Sequence, residues 1–133
     1  MTYYLLDTNA ASAAIRGNAG IDHRLKTMPA ASWSISAITY SELRYGLAVK
    51  PEALKLARLV ESFMELTVIE PWNKAAADSH GRLRARLRLD GSPIGDFDEM
   101  IAAHALALNA VLVTDNMRHF QCVPGLSIEN WHR

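Results

Sequence analysis

The stretch YYLLDTNAASAAIRG, Tyr3 to Gly17, sets the fold. Tyr3–Leu6 is a short apolar, aromatic-rich run and reads as a buried strand. Asp7-Thr8-Asn9 ends it, and NAASAAIRG reads as a helix closed by Gly17. A strand feeding directly into a helix is the repeating unit of an α/β fold, so the rest of the chain should repeat it.

It does. SWSISAI (Ser32–Ile38) alternates and reads as a second strand, with Thr39 or Ser41 capping the next helix, TYSELRYGL, which carries Glu42. Pro51 opens a helix predicted to run to Met64, with Leu54, Ala57, Val60 and Met64 at helical spacing. LTVIEP is a strand stopped by Pro71, and helices are predicted over Asn73–Leu89 and Asp96–Leu108. AVLVTDN and LSIEN supply two more strands. Strands alternating with helices imply a three-layer α/β/α fold around a central, mostly parallel sheet. Such sheets bind ligands outside the C-terminal ends of their strands. Asp7 follows the first strand and Asp115 follows Val111–Thr114, so both belong on that rim.

Bulk composition bounds the function. The chain has 133 residues, half of them hydrophobic, and a formal net charge of zero, which fits one domain with a real core. Zero net charge argues against coating nucleic acid by bulk electrostatics and leaves any steering to local basic clusters. The lone Cys122 permits no internal disulfide, and a reducing cytoplasm is the simplest compartment. The N-terminus has no basic leader pattern, and no apolar run approaches the roughly 20 residues needed to span a bilayer.

The acids are the informative residues. PIGDFDEMIAAHALA, Pro93 to Ala107, puts Asp96, Asp98 and Glu99 at the start of a helix that is otherwise apolar. Asp96 reads as an N-cap, with Glu99 completing a capping box. Asp98 is harder to account for. A carboxylate gains only about 0.3–1 kcal/mol from the helix dipole, and an unpaired one at a buried helix loses more than that. It therefore needs a partner, and a metal ion is the economical one. Asp7, Glu42 and Asp115 each have a bland reading singly, as turn or surface residues. Their order is more specific: strand-Asp, helix-Glu, helix-start Asp, strand-Thr-Asp-Asn.

LLDTN (5–9), SAITYSELRYG (36–46), SPIGDFDEMIAAHAL (92–106) and LVTDNMRHF (112–120) together resemble the PIN domain, specifically the VapC-type toxin ribonucleases of bacterial toxin–antitoxin pairs. The resemblance covers essentially the whole chain, as one PIN domain over 1–133. It implies that Asp7, Glu42 and Asp98 are the catalytic acids and metal ligands, with Mg²⁺ as the cofactor and Mn²⁺ as a substitute. The family often has Thr-x-Asp after the late strand. Here Asn116 occupies that last position and the acid is Asp115, one earlier, which is taken as the fourth site residue. Thr8, Asn9, Thr114, Asn116 and Arg44 are taken as supporting or phosphate-contacting groups. The resemblance also implies a small VapB-type antitoxin, a homodimer, and an RNA substrate, with tRNA as the expectation and the initiator tRNA anticodon stem-loop as its specific form.

The chemistry agrees with these residue types. Phosphodiester hydrolysis needs an activated water and charge stabilisation on phosphoryl oxygens, and an oxygen-lined Mg²⁺ site supplies both. Acids gathered in one place repel, so at least one should have a raised pKa. The five histidines lack zinc-ligand spacing, and there is no P-loop, dinucleotide fingerprint or nucleophile elbow. Arg82, Arg84, Arg86 and Arg88 alternate on one helix. At about 100° per residue they form two pairs, Arg82/Arg86 and Arg84/Arg88, with Leu83 and Leu87 toward the core. Either pair is a candidate contact for RNA or for the antitoxin, against a plain solvated rim. Arg118 and His119 are weaker phosphate candidates. Two other readings stand beside the toxin: a housekeeping PIN nuclease in RNA processing, and a non-enzymatic metal-binding regulatory domain. The latter would not degrade RNA with any divalent ion.

Overall fold

The computed structural model describes residues 1–132. Five strands form one sheet: β1 (Tyr4–Leu6), β2 (Trp33–Ser36), β3 (Val68–Glu70), β4 (Val111–Val113) and β5 (Ile128–Glu129). Their order is β3-β2-β1-β4-β5, and every neighbouring pair is parallel. Seven α-helices complete the fold: α1 (Thr8–Ile15), α2 (Ala19–Lys26), α3 (Ala37–Ala48), α4 (Leu54–Leu66), α5 (Lys74–Leu89), α6 (Asp96–Leu108) and α7 (Met117–Phe120). The α/β/α layering expected from the sequence is therefore present, with a sheet that is parallel throughout.

Strand periodicity separates two cores. Leu5 and Leu112 turn to one face and pack with Leu83, Leu87, Ile101 and Phe120 from α5, α6 and α7. Leu6 and Val113 turn to the other and pack with Ala10, Ile21, Ile35, Leu43, Val60 and Trp131. The apolar body of α6 is buried from Ile101 to Ala105, as its composition requires. Small residues let it lie close to α5, where Ser79 Oγ donates to the Ala103 carbonyl at 2.7 Å.

Several boundaries differ from the sequence expectation, each for a local reason. The second strand stops at Ser36, because Ser36 Oγ accepts from the Ile38 amide and caps α3 in place of Thr39 or Ser41. Helix α4 starts at Leu54, after a turn over 51–53. Asp96 is not the N-cap of α6. Gly95 holds that position at φ 102°, a conformation that suits a residue without Cβ, and Glu99 Oε2 reaches back to accept from the Ile94 amide at 3.1 Å. Helix α2, capped by the Asn18 side chain on the Ile21 amide, and the short α7 have no counterpart in the sequence pattern. No described helix is long and apolar enough to cross a membrane.

Candidate active site on the carboxyl rim of the sheet

The parallel sheet places the ends of β1, β2 and β4 on one rim. Asp7 leaves β1 there. Its amide donates to the Val113 carbonyl at 3.0 Å, which fixes it beside the end of β4. Its Oδ1 accepts from the Ala10 amide at 2.8 Å and caps α1. The side chain is only 3% exposed. Burial pushes its carboxyl up to about 6, against hydrogen bonds from the Thr114 hydroxyl and the Ala10 amide. The charges of Asp115 and Asp98 push in the same direction as burial. The expected rise in pKa is therefore present, with desolvation as its main cause and like-charge repulsion second.

The other acids approach from separate elements. Asp98 sits in the first turn of α6, and its Oδ2 lies 2.9 Å from His119 Nε2. Asp115 follows buried Thr114, with His132 Nε2 3.8 Å from its Oδ2. Glu42 projects from α3, where Thr8 Oγ1 donates to its Oε1 at 2.5 Å and also lies 3.2 Å from Thr39 Oγ1. Asn116 is exposed, and its amide donates to Thr114 Oγ1 at 3.0 Å. Asn9 is exposed on the first turn of α1 and borders a groove with Ser12, Arg16, Asp115 and His132.

Asp98, Asp115 and Thr114 thus act on Asp7, while Glu42 is bonded to Thr8, the residue that follows Asp7. Among the described residues, no group of three His, Cys, Asp or Glu side chains is placed to hold a metal ion by itself. An open set of carboxylate oxygens suits Mg²⁺, which keeps several waters and takes one or two carboxylates. It does not suit zinc, which wants a tight nitrogen- and sulfur-rich shell.

The basic residues fall elsewhere. Arg44 is paired with Glu61, donates to Tyr40 Oη at 3.0 Å and lies over that ring. Leu83 and Leu87 face the core as expected. Arg82 and Arg86 border a groove with Asp78, Leu106 and Pro124 rather than with the acids, and Arg86 is also bonded to Asp90. Arg84 and Arg88 are exposed. Sequence reading misses one residue near the acids and gives another a different partner. Arg16 ends α1 and borders both the Asn9–Asp115 groove and a second one lined by Thr8 and Glu42. His119 was grouped with Arg118 as a phosphate contact and instead meets Asp98; no spacing rule links residues so far apart in the chain.

Residues 4–125 match the model of the PIN domain family. The chain is 33% identical over 131 residues to the tRNA(fMet)-specific endonuclease VapC of Salmonella typhimurium, covering 98% of this chain and 99% of that protein. It is 32% identical over 132 residues to ribonuclease VapC2 of Rickettsia felis, covering 98% of each. Its fold superposes on VapC in the crystal structure of DNA-bound VapBC from Salmonella typhimurium with a TM-score of 0.91, at 34% identity over 98% of this chain and 99% of that one. With the acids standing on the same rim of a parallel sheet, the chain belongs to the PIN domain family, among the VapC-type toxin ribonucleases.

Proposed function

We propose that the protein is a metal-dependent endoribonuclease acting in the cytoplasm as the toxin of a VapBC-type module, with tRNA as its substrate. The observation that carries the reading is buried Asp7, lifted to about 6 beside Asp98 and Asp115 on the carboxyl rim. A divalent cation would stabilise the ionised form of a buried acid with two other carboxylates nearby. Initiator tRNA is the favoured target, because the VapC relatives from Salmonella typhimurium and Shigella flexneri are named for tRNA(fMet).

Asp7 and Asp98 would hold the cation, and Asp115 would add negative charge beside Asp7. Bound Mg²⁺, or Mn²⁺ in its place, supplies positive charge to the phosphoryl oxygens and eases ionisation of the attacking water. Thr8 fixes Oε1 of Glu42, which leaves Oε2 to orient that water and accept its proton. Thr114 keeps Asp7 in place from below. Arg16, on the ridge between two grooves that touch the acids, is the cation placed to meet a flanking RNA phosphate. The α5 arginines and Arg44 lie off this path.

The second groove has apolar walls of Ile15, Leu43, Leu47, Val49, Leu56 and Val60 between α1, α3 and α4. It suits the apolar face of an antitoxin helix. Solved relatives are VapBC complexes, which supports that partner. A homodimer is part of the same reading, and exposed Tyr45, Leu54 and Leu66 are apolar surface that such contacts would cover.

The test is cleavage of total tRNA by partner-free protein with Mg²⁺, with Mn²⁺ and with EDTA. Discrete cuts that need metal are expected. Asp98→Asn should slow them on the order of 10²–10³-fold, the scale of losing one preorganised charge at a transition state. Arg16→Ala should raise KM about tenfold with kcat retained, as for one lost charge-assisted contact. Wild-type cleavage by the Asp98→Asn protein, or cleavage in EDTA, would refute the reading.

A further inference from the structure

We infer that His119 is a positioning residue for the metal site, holding the Asp98 carboxylate so that one oxygen faces the cation. The inference rests on the proposed role of Asp98 as a ligand, and it assigns the chain a residue that supports the site without touching the substrate.

Asp98 is the less constrained of the two ligands. Asp7 is 3% exposed and bonded to Ala10. The Asp98 side chain is 43% exposed and stands on the first turn of α6, where no capping side chain holds the helix start. A carboxylate half in water samples several rotamers, and fixing one on ion binding carries an entropic cost. His119 Nε2, 2.9 Å from Oδ2, removes much of that freedom in advance. Oδ1 would be left for the cation.

The ring is well placed to act as an anchor. Its side chain is 30% exposed and stands edge-on to Phe120, which is 2% exposed in the core under α6. The His119 amide donates to the Asn116 carbonyl at 3.1 Å, and its own carbonyl accepts from Cys122 Sγ at 3.5 Å. The segment after β4 therefore serves the rim twice. Thr114 and Asp115 meet Asp7, and five residues after Thr114 the same segment pins Asp98 from α6. The Nε2–H donor exists in one neutral tautomer and in the imidazolium, so the contact does not require a charged ring. Partners of this kind orient metal ligands, and their loss typically weakens metal affinity about 10- to 100-fold.

Calorimetric titration of the partner-free full chain with Mn²⁺, repeated with Mg²⁺, tests this. His119→Phe keeps the packing on Phe120 and removes the donor; it should weaken Mn²⁺ binding at least about tenfold. His119→Gln retains an N–H donor of similar reach and should stay within about threefold of wild type. In the Asp98→Asn background, His119→Phe should add no further loss. His119→Leu repeats the comparison should the phenylalanine variant not fold. Unchanged or tighter Mn²⁺ binding by His119→Phe overturns the inference alone, as does a glutamine variant as weak as the phenylalanine one. Wild-type protein that binds neither ion overturns the metal reading itself, and the inference with it.

Discussion

Two polar regions are buried near the ends of neighbouring strands, and burial acts on them in opposite senses. At the end of β2, His104 from α6 is 1% exposed, with Nδ1 2.8 Å from Ser36 Oγ and its ring edge-on to Trp72. Burial holds its pKa below the ordinary histidine value, against the Glu70 charge and the Pro71 carbonyl. The neutral ring is the state that does its task, which is to tie α6 to the cap of α3. At the end of β1, burial likewise disfavours the charged form of Asp7, yet the charged form is the one a cation needs. One region is at rest in the folded chain. The other, on the proposed reading, is completed by a cation. Burial alone does not mark a site; burial that opposes the working charge state does.

The largest expected effect separates the two directly. Asp7 has its folded pKa, about 6, above the unfolded value of 3.8. A raised acid favours the protonated fold, so ionised Asp7 lowers stability progressively from about pH 4 to about pH 6, and the loss is full above that. Asp7→Asn keeps a good N-cap and removes the charge. In EDTA at pH 8 it should be more stable than wild type by on the order of 2–3 kcal/mol, with the gain gone below pH 4 and cleavage abolished. Urea unfolding across that range checks it, and a destabilised variant at pH 8 would erase the contrast.

His104 should show the reverse. Its folded pKa is depressed, so its contribution is present above the unfolded histidine value and is lost as pH falls below it. His104→Leu should cost about 1–3 kcal/mol at pH 8, by removing the buried bond between the ring and Ser36 Oγ. The cost should shrink as pH falls below 6.5, because the variant has no ring to protonate. A cost independent of pH would show that His104 acts through packing alone. The smallest effect sharpens the comparison further. Mg²⁺ at ten times its Kd should stabilise wild type and His104→Leu alike by about 1.4 kcal/mol, and Asp7→Asn hardly at all. Thermal melts with and without Mg²⁺ read this out.

The sequence-level reading succeeded where one local rule was enough. A strand that runs straight into an acid, in a chain of alternating strands and helices, places Asp7 and Asp115 on the carboxyl rim without further information. Asp98 was legible as a charge at the mouth of an apolar helix. Capping choices were less so: Ser36, Thr39 and Ser41 are chemically alike, and the Ser36 cap follows from where the sheet ends. Gly95 displaced Asp96 because a positive φ brings the chain into α6. Tertiary contacts were not legible at all. Nothing local shows that Glu61 occupies Arg44, or that α7 carries His119 to Asp98. Asp98 was expected to find a metal as its partner; the fold supplies a histidine first.

The strand order has a temporal consequence. β1 is the middle strand, and its two neighbours come from opposite parts of the chain, with Tyr4 opposite Trp33 on one side and Val111 on the other. Pairings between distant parallel strands form late, since loop closure precedes any gain from the contact. During synthesis Asp7 emerges first and waits for Asp98 and Asp115 at the far end of the chain. A ribosome must therefore make almost the entire protein before these acids can meet, so a chain cut short before Asp98 lacks the site that the finished form is proposed to use.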